Sequence, residues 1–452
     1  MTSTSFNWNL SHIAQVVAGE LVGNDFPVNG VSTDSRSVAK GKLFIALKGP
    51  SYDGHDYVHH AEQRYATAAL VEKIVATSLP QIIVPNTLVA LGKLAQAWRN
   101  QFSIPVIGIT GSNGKTTVKE ITTAILSCEN RVLATQGNLN NNIGMPLTLM
   151  QIDENHDAAV IEMGANNPKE IEYLSKLSRP NVAIITNAGP AHLEGFGDLD
   201  GVATSKGEIV EQLDEKGTAI LNADDPYYEL WKKMCGNKKI LSFGLSSTAD
   251  ISAKQKSDYV SITTPVGVVD VKFKMLGKHN LVNALAATAA CCAVEVSLDS
   301  IKQGLENIQG VTGRLQLKMG KNGSRIIDDT YNANPASLDA ALMVLNEFTG
   351  QHLLALGDMG ELGSDAEQLH MQAGEQARKS GVSKLYAIGH HARLAATSFG
   401  SNSKVFDDKP SMISELKNCM TNDVTLLVKG SRLMQMEVIV DALVQSAQNG
   451  DK

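Results

Sequence analysis

Residues 104–117, IPVIGITGSNGKTT, place the tightest constraint on how this chain folds. An apolar run of strand length breaks into a glycine turn, and Lys-Thr-Thr then opens the helical pattern KTTVKEITTAIL. A buried strand feeding a helix through glycine aims free backbone N–H groups and a positive helix end at one point, which suits a phosphate group. Gly111, Ser112, Asn113, Gly114, Lys115, Thr116 and Thr117 are therefore candidate phosphate-binding residues. Lys115 adds a mobile cation and Thr116 a hydroxyl for Mg²⁺. The strict eight-residue phosphate loop would require glycine at 109; this chain has Ile109, with glycines at 108 and 111, so the motif is a variant.

The same alternation continues on both sides. PVIGIT, DAAVIEMG, NVAIITN and TAILNAD are separated by helix-periodic stretches such as PKEIEYLSKL, which predicts a mostly parallel sheet. A second alternation starts near Arg314 (RIIDDTYNANP, HLLALGDMG, KLYAIG, TLLVKGSR) and predicts a separate doubly wound domain. Before residue 100, short strand candidates (KLFIAL, ATAALV, QIIVP) mix with the turn-rich KGPSYDGHDY, and the helical run LVALGKLAQAWRNQF leads to Pro105. The expected fold is α/β in three domains: a small N-terminal α/β domain (1–100), a central domain with a phosphate loop on a mostly parallel sheet (101–313), and a C-terminal Rossmann-like domain (314–452).

Composition removes several function classes. A net charge of -7 leaves no basic surplus to neutralise nucleic acid or an acidic membrane. The five cysteines show no CxxC spacing and read as buried thiols. No run approaches the roughly 18 apolar residues of a membrane span, and the N-terminus lacks a signal-peptide pattern, so a cytoplasmic location without membrane insertion is expected.

In parallel sheets, ligands collect beyond the C-terminal ends of the strands. Glu162, in IEMGANNP, ends a strand where it could hold a Mg²⁺ bridging nucleotide phosphates. His192, in ITNAGPAHLEGFGD, reads equally well as a structural histidine, because Mg²⁺ prefers oxygen ligands. Lys206, in GVATSKGEIV, reads alone as a surface charge. Asn280 and Asn283 share one face at the start of an alanine-rich helix; they are caps unless the fold brings that helix back to the glycine loop. A capped turn accounts for Asn334-Pro335 and Ser337, but not for Asp328, Asp329 and Asn332 crowding one strand end. With Arg314 they predict a second wall of the nucleotide site.

Taken in order, GSNGKTT, IEMGA, TNAGPAHLEGFG, SKGEI, GKHNLVNALAA, the Gly-Arg at 313–314, DDTYNANP and VKGSR resemble the Mur ligase family of ATP-dependent amide-bond-forming enzymes over nearly the whole chain. GNLNNNIGMPLTL, DDTYNANP and TDSR resemble its dipeptide-adding branch. The resemblance implies ATP and Mg²⁺, two ions, as cofactors, with Thr116, Glu162 and His192 as metal ligands and a CO₂-derived carbamate on Lys206 that would join them. It implies UDP-N-acetylmuramoyl-tripeptide and D-alanyl-D-alanine as substrates; a monomer is expected, although no residue pattern fixes the oligomeric state. It further places Asn280, Asn283, Arg314 and Asp328 or Asp329 against the nucleotide, and Ser32, Thr33, Asp34, Ser35 and Arg36 at the uridine diphosphate end. Asn138, Asn140 and Asn141 are implied to meet the muramoyl peptide, and Tyr331, Asn332 and Asn334 are candidates for the dipeptide. The alternatives are a ligase adding a single amino acid, a folylpolyglutamate synthase, and a regulatory phosphate-loop NTPase without ligase activity.

Overall fold

The computed structural model describes residues 6–190, 193–246 and 248–445. Strands β1 (Glu20–Val22), β2 (Val31–Ser32), β3 (Leu43–Ile45), β4 (Ala68–Val71) and β5 (Gln81–Ile83) form the first sheet in the order β1-β5-β4-β3-β2. Only β1 runs antiparallel to its neighbour. Helix α1 (Thr87–Arg99) closes this domain and ties it to the next. Its Trp98 indole donates to the Ile152 carbonyl at 2.9 Å, and the buried Arg99 guanidinium donates to the carbonyls of Ser178 and Ile104 at 3.0 and 3.1 Å. Burial holds Arg99 down at about 10. Carbonyl partners satisfy a planar fork of donors without a second buried charge, so α1 acts as a fixed strut.

The central sheet consists of β6 (Val106–Thr110), β7 (Val132–Ala134), β8 (Ala158–Glu162), β9 (Val182–Ile185), β10 (Thr218–Asn222) and β11 (Lys239–Phe243). Its order is β11-β10-β9-β6-β8-β7 and every pairing is parallel. All five residues of β6 are buried, as a strand covered on both faces by helices requires. On one face, α2 (Lys115–Leu126) packs Val118, Ile121 and Ile125 against the alanine-rich α4 (Lys278–Ala293) in one core with Ile107 and Ile109. The alanines give α4 a narrow profile, which lets its first turn reach the glycine loop. On the other face, α3 (Leu199–Glu211) contributes Val202, Ala203 and Ile209 to a second core. A three-stranded antiparallel sheet, β12 (Ser252–Gln255), β13 (Val260–Thr264) and β14 (Gly267–Val271), follows β11; the alternation of strand and helix gave no sign of it.

The C-terminal sheet contains β15 (Gln316–Met319), β16 (Arg325–Asp329), β17 (Gln351–Gly357), β18 (Lys384–Ile388), β19 (Ser403–Phe406) and β20 (Val424–Lys429), ordered β15-β16-β20-β17-β18-β19. Only β15 is antiparallel. Helix α5 (Pro335–Leu345) starts on a full capping box: Asn334 Oδ1 accepts from the Ser337 N–H and the Ser337 hydroxyl accepts from the Asn334 N–H. The three-domain α/β expectation is met, with a mostly parallel sheet in the centre and a doubly wound one at the C-terminal end.

Candidate active site

The register of the central sheet sets the geometry. Glu162 pairs with Ile109 and Ile185 with Thr110, so the glycine loop, the residues after β8 and the residues after β9 emerge side by side at one sheet edge. The loop is braced from the β9 side. The Thr186 hydroxyl donates to the Asn113 carbonyl at 2.6 Å, Asn187 Oδ1 accepts from the Asn113 N–H at 3.0 Å, and the Ser112 hydroxyl donates to the Gly189 carbonyl at 2.9 Å. The backbone has φ +145° at Gly111 and +84° at Gly114. A Cβ at Gly111 would lie 1.9 Å from Thr186 Oγ1, and one at Gly114 2.4 Å from Asn283 Oδ1. Gly111→Ala is expected to cost about 2–4 kcal/mol through strain and overlap. The midpoint of urea unfolding checks it, and an unchanged midpoint would contradict the close approach.

Lys115 opens α2, and its ammonium donates to the Gly111 carbonyl at 2.7 Å and reaches the Ser112 carbonyl at 3.3 Å. Burial holds it below the ordinary lysine range, opposed by the charge of Glu162. Glu162 is 2 % exposed. Its Oε1 accepts from Asn140 Nδ2 at 2.8 Å, while Oε2 is buried without a hydrogen-bond partner. A buried carboxylate oxygen without a donor is costly unless a cation meets it. Glu162, with Thr116 on the neighbouring helix turn, thus fits a divalent ion that prefers oxygen. His192 lies outside the described residues.

Lys206 is no surface charge. It is 2 % exposed in α3, and its Nζ stands 5.1 Å from the centre of the Phe196 ring. Burial, then the charge of Lys115, pulls its pKa down to about 7, with Glu208 and Glu170 opposing. Both oxygens of Glu208 accept backbone N–H groups, from Lys169 at 2.8 Å and Glu172 at 2.9 Å, so that carboxylate has other duties.

The fold brings α4 back to the loop. Asn283 sits under Gly114 and donates to Asn280 Oδ1 at 3.2 Å, while Asn280 donates to the Leu276 carbonyl at 2.7 Å. Neither is a simple cap.

The third domain supplies the facing wall of a cleft of ≈ 390 Å³ that Lys115, Asn138, Asn140, Asn141 and Glu162 line from the central domain. The Arg314 guanidinium lies 4.2 Å over the Tyr331 ring, with its Nε buried and unpartnered. Asn334 Nδ2 donates across the gap to Asn113 Oδ1 at 3.2 Å. Asn332 and Tyr331 line the same cleft.

The two neighbouring aspartates part company, as adjacent residues of a strand must. Asp329 accepts from the buried Lys429 ammonium at 2.5 Å and from the Leu315 N–H at 3.2 Å, and its charge reaches His279 at the start of α4. Asp328 is held by Lys318 at 2.7 Å and by the Thr330 hydroxyl at 2.7 Å, and neither aspartate lines the cleft. Asn141 Oδ1 accepts the N–H groups of Ile143 and Gly144, which gives it a turn-forming job as well.

Ser32, Thr33, Asp34, Ser35 and Arg36 do not line this cleft. Arg36 forms a two-pronged pair with Asp34 at 2.9 and 2.8 Å, which holds Asp34 down at about 2. The Ser35 hydroxyl meets His60 Nδ1 at 3.1 Å. Sequence reading gave no role to two further lining residues, Glu361 and Arg432, although LGDMGELG and VKGSR both follow apolar strands.

Known proteins share this architecture. Residues 27–99 match the Mur ligase family catalytic domain, 109–291 the Mur ligase middle domain, and 313–432 the Mur ligase glutamate ligase domain. The UDP-N-acetylmuramoyl-tripeptide--D-alanyl-D-alanine ligase of Escherichia coli K12 is 41% identical over 97% of this chain and 98% of its own. The enzyme of that name from Bacillus subtilis is 34% identical, with the same coverage. Among solved structures, MurF from Acinetobacter baumannii superposes with a TM-score of 0.89 at 34% identity, covering 97% of this chain and 98% of its own. MurF ligase from Thermotoga maritima, in complex with ADP, reaches 0.81 at 28% identity, covering 91% and 96%.

Proposed function

Because the chain belongs to the Mur ligase family, we propose that its cleft activates a carboxylate with ATP and then couples it to an amine. The protein is an ATP-dependent ligase that joins D-alanyl-D-alanine to UDP-N-acetylmuramoyl-tripeptide, giving the pentapeptide precursor of peptidoglycan, ADP and phosphate. One observation supports the chemistry above the others: a phosphate loop with its lysine faces a buried carboxylate whose second oxygen has no donor.

The steps follow from the residues. The loop N–H groups and Lys115 hold the γ-phosphoryl group in line with the terminal carboxylate of the tripeptide and neutralise charge developing on its equatorial oxygens. The carboxylate oxygen attacks phosphorus and ADP leaves, which turns an inert carboxylate into an acyl phosphate. The dipeptide amine, as the free base, attacks the acyl carbon; the C–N bond forms, the C–O bond to phosphate breaks, and the proton lost from nitrogen leaves with the phosphate. Glu162 and Thr116, with His192, would hold Mg²⁺, which would supply charge neutralisation for the phosphate groups. Asn140 fixes the rotamer of Glu162.

Lys206 we assign as a carbamate site. With burial pulling its pKa down to about 7, neutral amine is available at neutral pH, and only the neutral form attacks CO₂. The neutral amine forms the N–C bond and gives up one proton to solvent, so a carbamate anion replaces it; starting from the ammonium, two protons leave in all. Arg314 and Asp329 close the nucleotide site from the third domain, while Asn280 and Asn283 do so from α4. Residues 32–36 receive the uridine diphosphate end, with Arg36 exchanging Asp34 for an anionic group. We place the domain boundaries at 100/101 and 313/314 and expect a monomer that works in the cytoplasm; no described helix is long and apolar enough to cross a membrane.

Phosphate release from ATP with UDP-N-acetylmuramoyl-tripeptide, with and without D-alanyl-D-alanine, tests the reading. Release is expected only with the dipeptide. Turnover that ignores it would favour a regulatory NTPase, and dependence on a single amino acid would move the acceptor to another branch of the family.

A further inference from the structure

Strand β7 stops before its neighbour β8 does, and the way it stops bears on the metal site. The Thr135 N–H donates to the Val160 carbonyl at 3.1 Å, just past the last strand pair, Ala134 with Val160. In a continued parallel ladder the next bond would run from the Glu162 N–H to the Thr135 carbonyl. Here that bond is diverted. The Thr135 hydroxyl accepts the Glu162 N–H at 3.0 Å, and the Thr135 carbonyl accepts from the Lys119 ammonium at 2.6 Å. Thr135 and Lys119 are both buried, so water does not compete for either bond.

Lys119 stands one turn after Lys115 on α2. Its other partner is Glu120 Oε1 at 2.8 Å, on a side chain that is partly in water, which leaves the Thr135 carbonyl as the shielded one. A buried ammonium is costly unless dipoles or charges meet it, so this bond is held firmly. From Thr135 the chain enters a loop that grips β8 twice more. Asn140 Nδ2 donates to Glu162 Oε1 at 2.8 Å, and the Asn140 carbonyl accepts from the Gly164 N–H at 2.9 Å. Through one residue, Lys119 therefore ties the helix that carries Thr116 to the backbone that carries Glu162.

We propose that Lys119 and Thr135 are positioning residues for the divalent-ion site, setting where the Glu162 carboxylate stands relative to Thr116. This inference rests on the reading above that Glu162 and Thr116 hold Mg²⁺. A ligand carboxylate depends on the groups that orient it, and removing such a partner weakens metal binding by about 10- to 100-fold. Lys119 also borders the hollow beside α2, so direct contact with nucleotide or donor substrate is the rival to be separated.

Titration calorimetry measures binding of a non-hydrolysable ATP analogue with Mg²⁺ and with EDTA in the wild type, Lys119→Met, Thr135→Val, Thr135→Ser and Glu162→Gln. The Mg²⁺ concentration that half-maximally tightens nucleotide binding is expected to rise about 10- to 100-fold in Lys119→Met and Thr135→Val, with affinity in EDTA unchanged. Thr135→Ser keeps the hydroxyl and is expected to match the wild type. The same Mg²⁺ shift is expected in turnover, with the KM for UDP-N-acetylmuramoyl-tripeptide unchanged. Should Lys119→Met fail to fold, the nearly isosteric Thr135→Val carries the test. Wild-type Mg²⁺ dependence in Thr135→Val overturns the proposal. A loss of affinity in EDTA equal to that in Mg²⁺, or a raised KM for the tripeptide substrate, makes Lys119 a direct contact and overturns it too. Glu162→Gln is the reference for the parent reading: if it keeps the full Mg²⁺ effect, the assignment of Glu162 to the ion fails instead.

Discussion

Lys115→Met is expected to leave the fold intact and to lower dipeptide-dependent phosphate release by about 10²- to 10³-fold. The side chain spans the loop to the Gly111 carbonyl, so its charge sits where the transferred phosphoryl group passes. Methionine keeps the length and apolar stem and removes only the ammonium. Burial already works against this charge, and an anionic phosphate relieves that cost, which makes the contact stronger with nucleotide than without it. The loss is therefore expected in kcat more than in the dipeptide KM, and titration calorimetry with ADP would show weakened binding. Activity within twofold of wild type would remove Lys115 from the chemistry.

Lys206→Ala is expected to lower activity by about 10²-fold, and short carboxylates such as formate or acetate to restore part of it by standing in for the carbamate. No rescue would leave Lys206 as a buried positioning cation. A second readout does not depend on turnover. The pKa of Lys206 falls from 10.5 unfolded to about 7 in the fold, so the cost of burying its charge is present in full below pH 7 and fades as pH rises toward 10.5. In CO₂-free buffer, Lys206→Met, with no charge to bury, is expected to melt above the wild type below pH 7, and the gap to shrink above it. A gap independent of pH would contradict the depressed pKa.

Strand-end placement was the legible part of this chain. GSNGKTT and Glu162 were readable because an apolar run fixes where a strand stops, and a parallel sheet puts such stops on one edge. The roles of Asn280 and Asn283 hung on where α4 packs, which its run of alanines leaves undetermined until the helix is laid against α2. Asp328 and Asp329 could not be placed from sequence: a strand sends neighbours to opposite faces, and the lysine each one meets, Lys318 or Lys429, comes with the pairing to β15 and β20. Read alone, Lys206 gave a surface charge, since nothing local announces that α3 buries it; only the family resemblance drew it toward the site. The Thr186 and Asn187 brace, the Arg36 pair with Asp34 and the antiparallel sheet β12-β13-β14 depend on contacts that no spacing encodes.

Asn334 serves two bodies at once. Its Oδ1 is spent on the first turn of α5, while its Nδ2 reaches the phosphate loop through a neutral hydrogen bond of 3.2 Å. Such a bond is worth about 0.5–1.5 kcal/mol net, only one to a few times thermal energy. That bond between phosphate loop and third domain is thus weak by construction: it can break without loosening the helix cap, because the two ends of one amide carry the two duties separately.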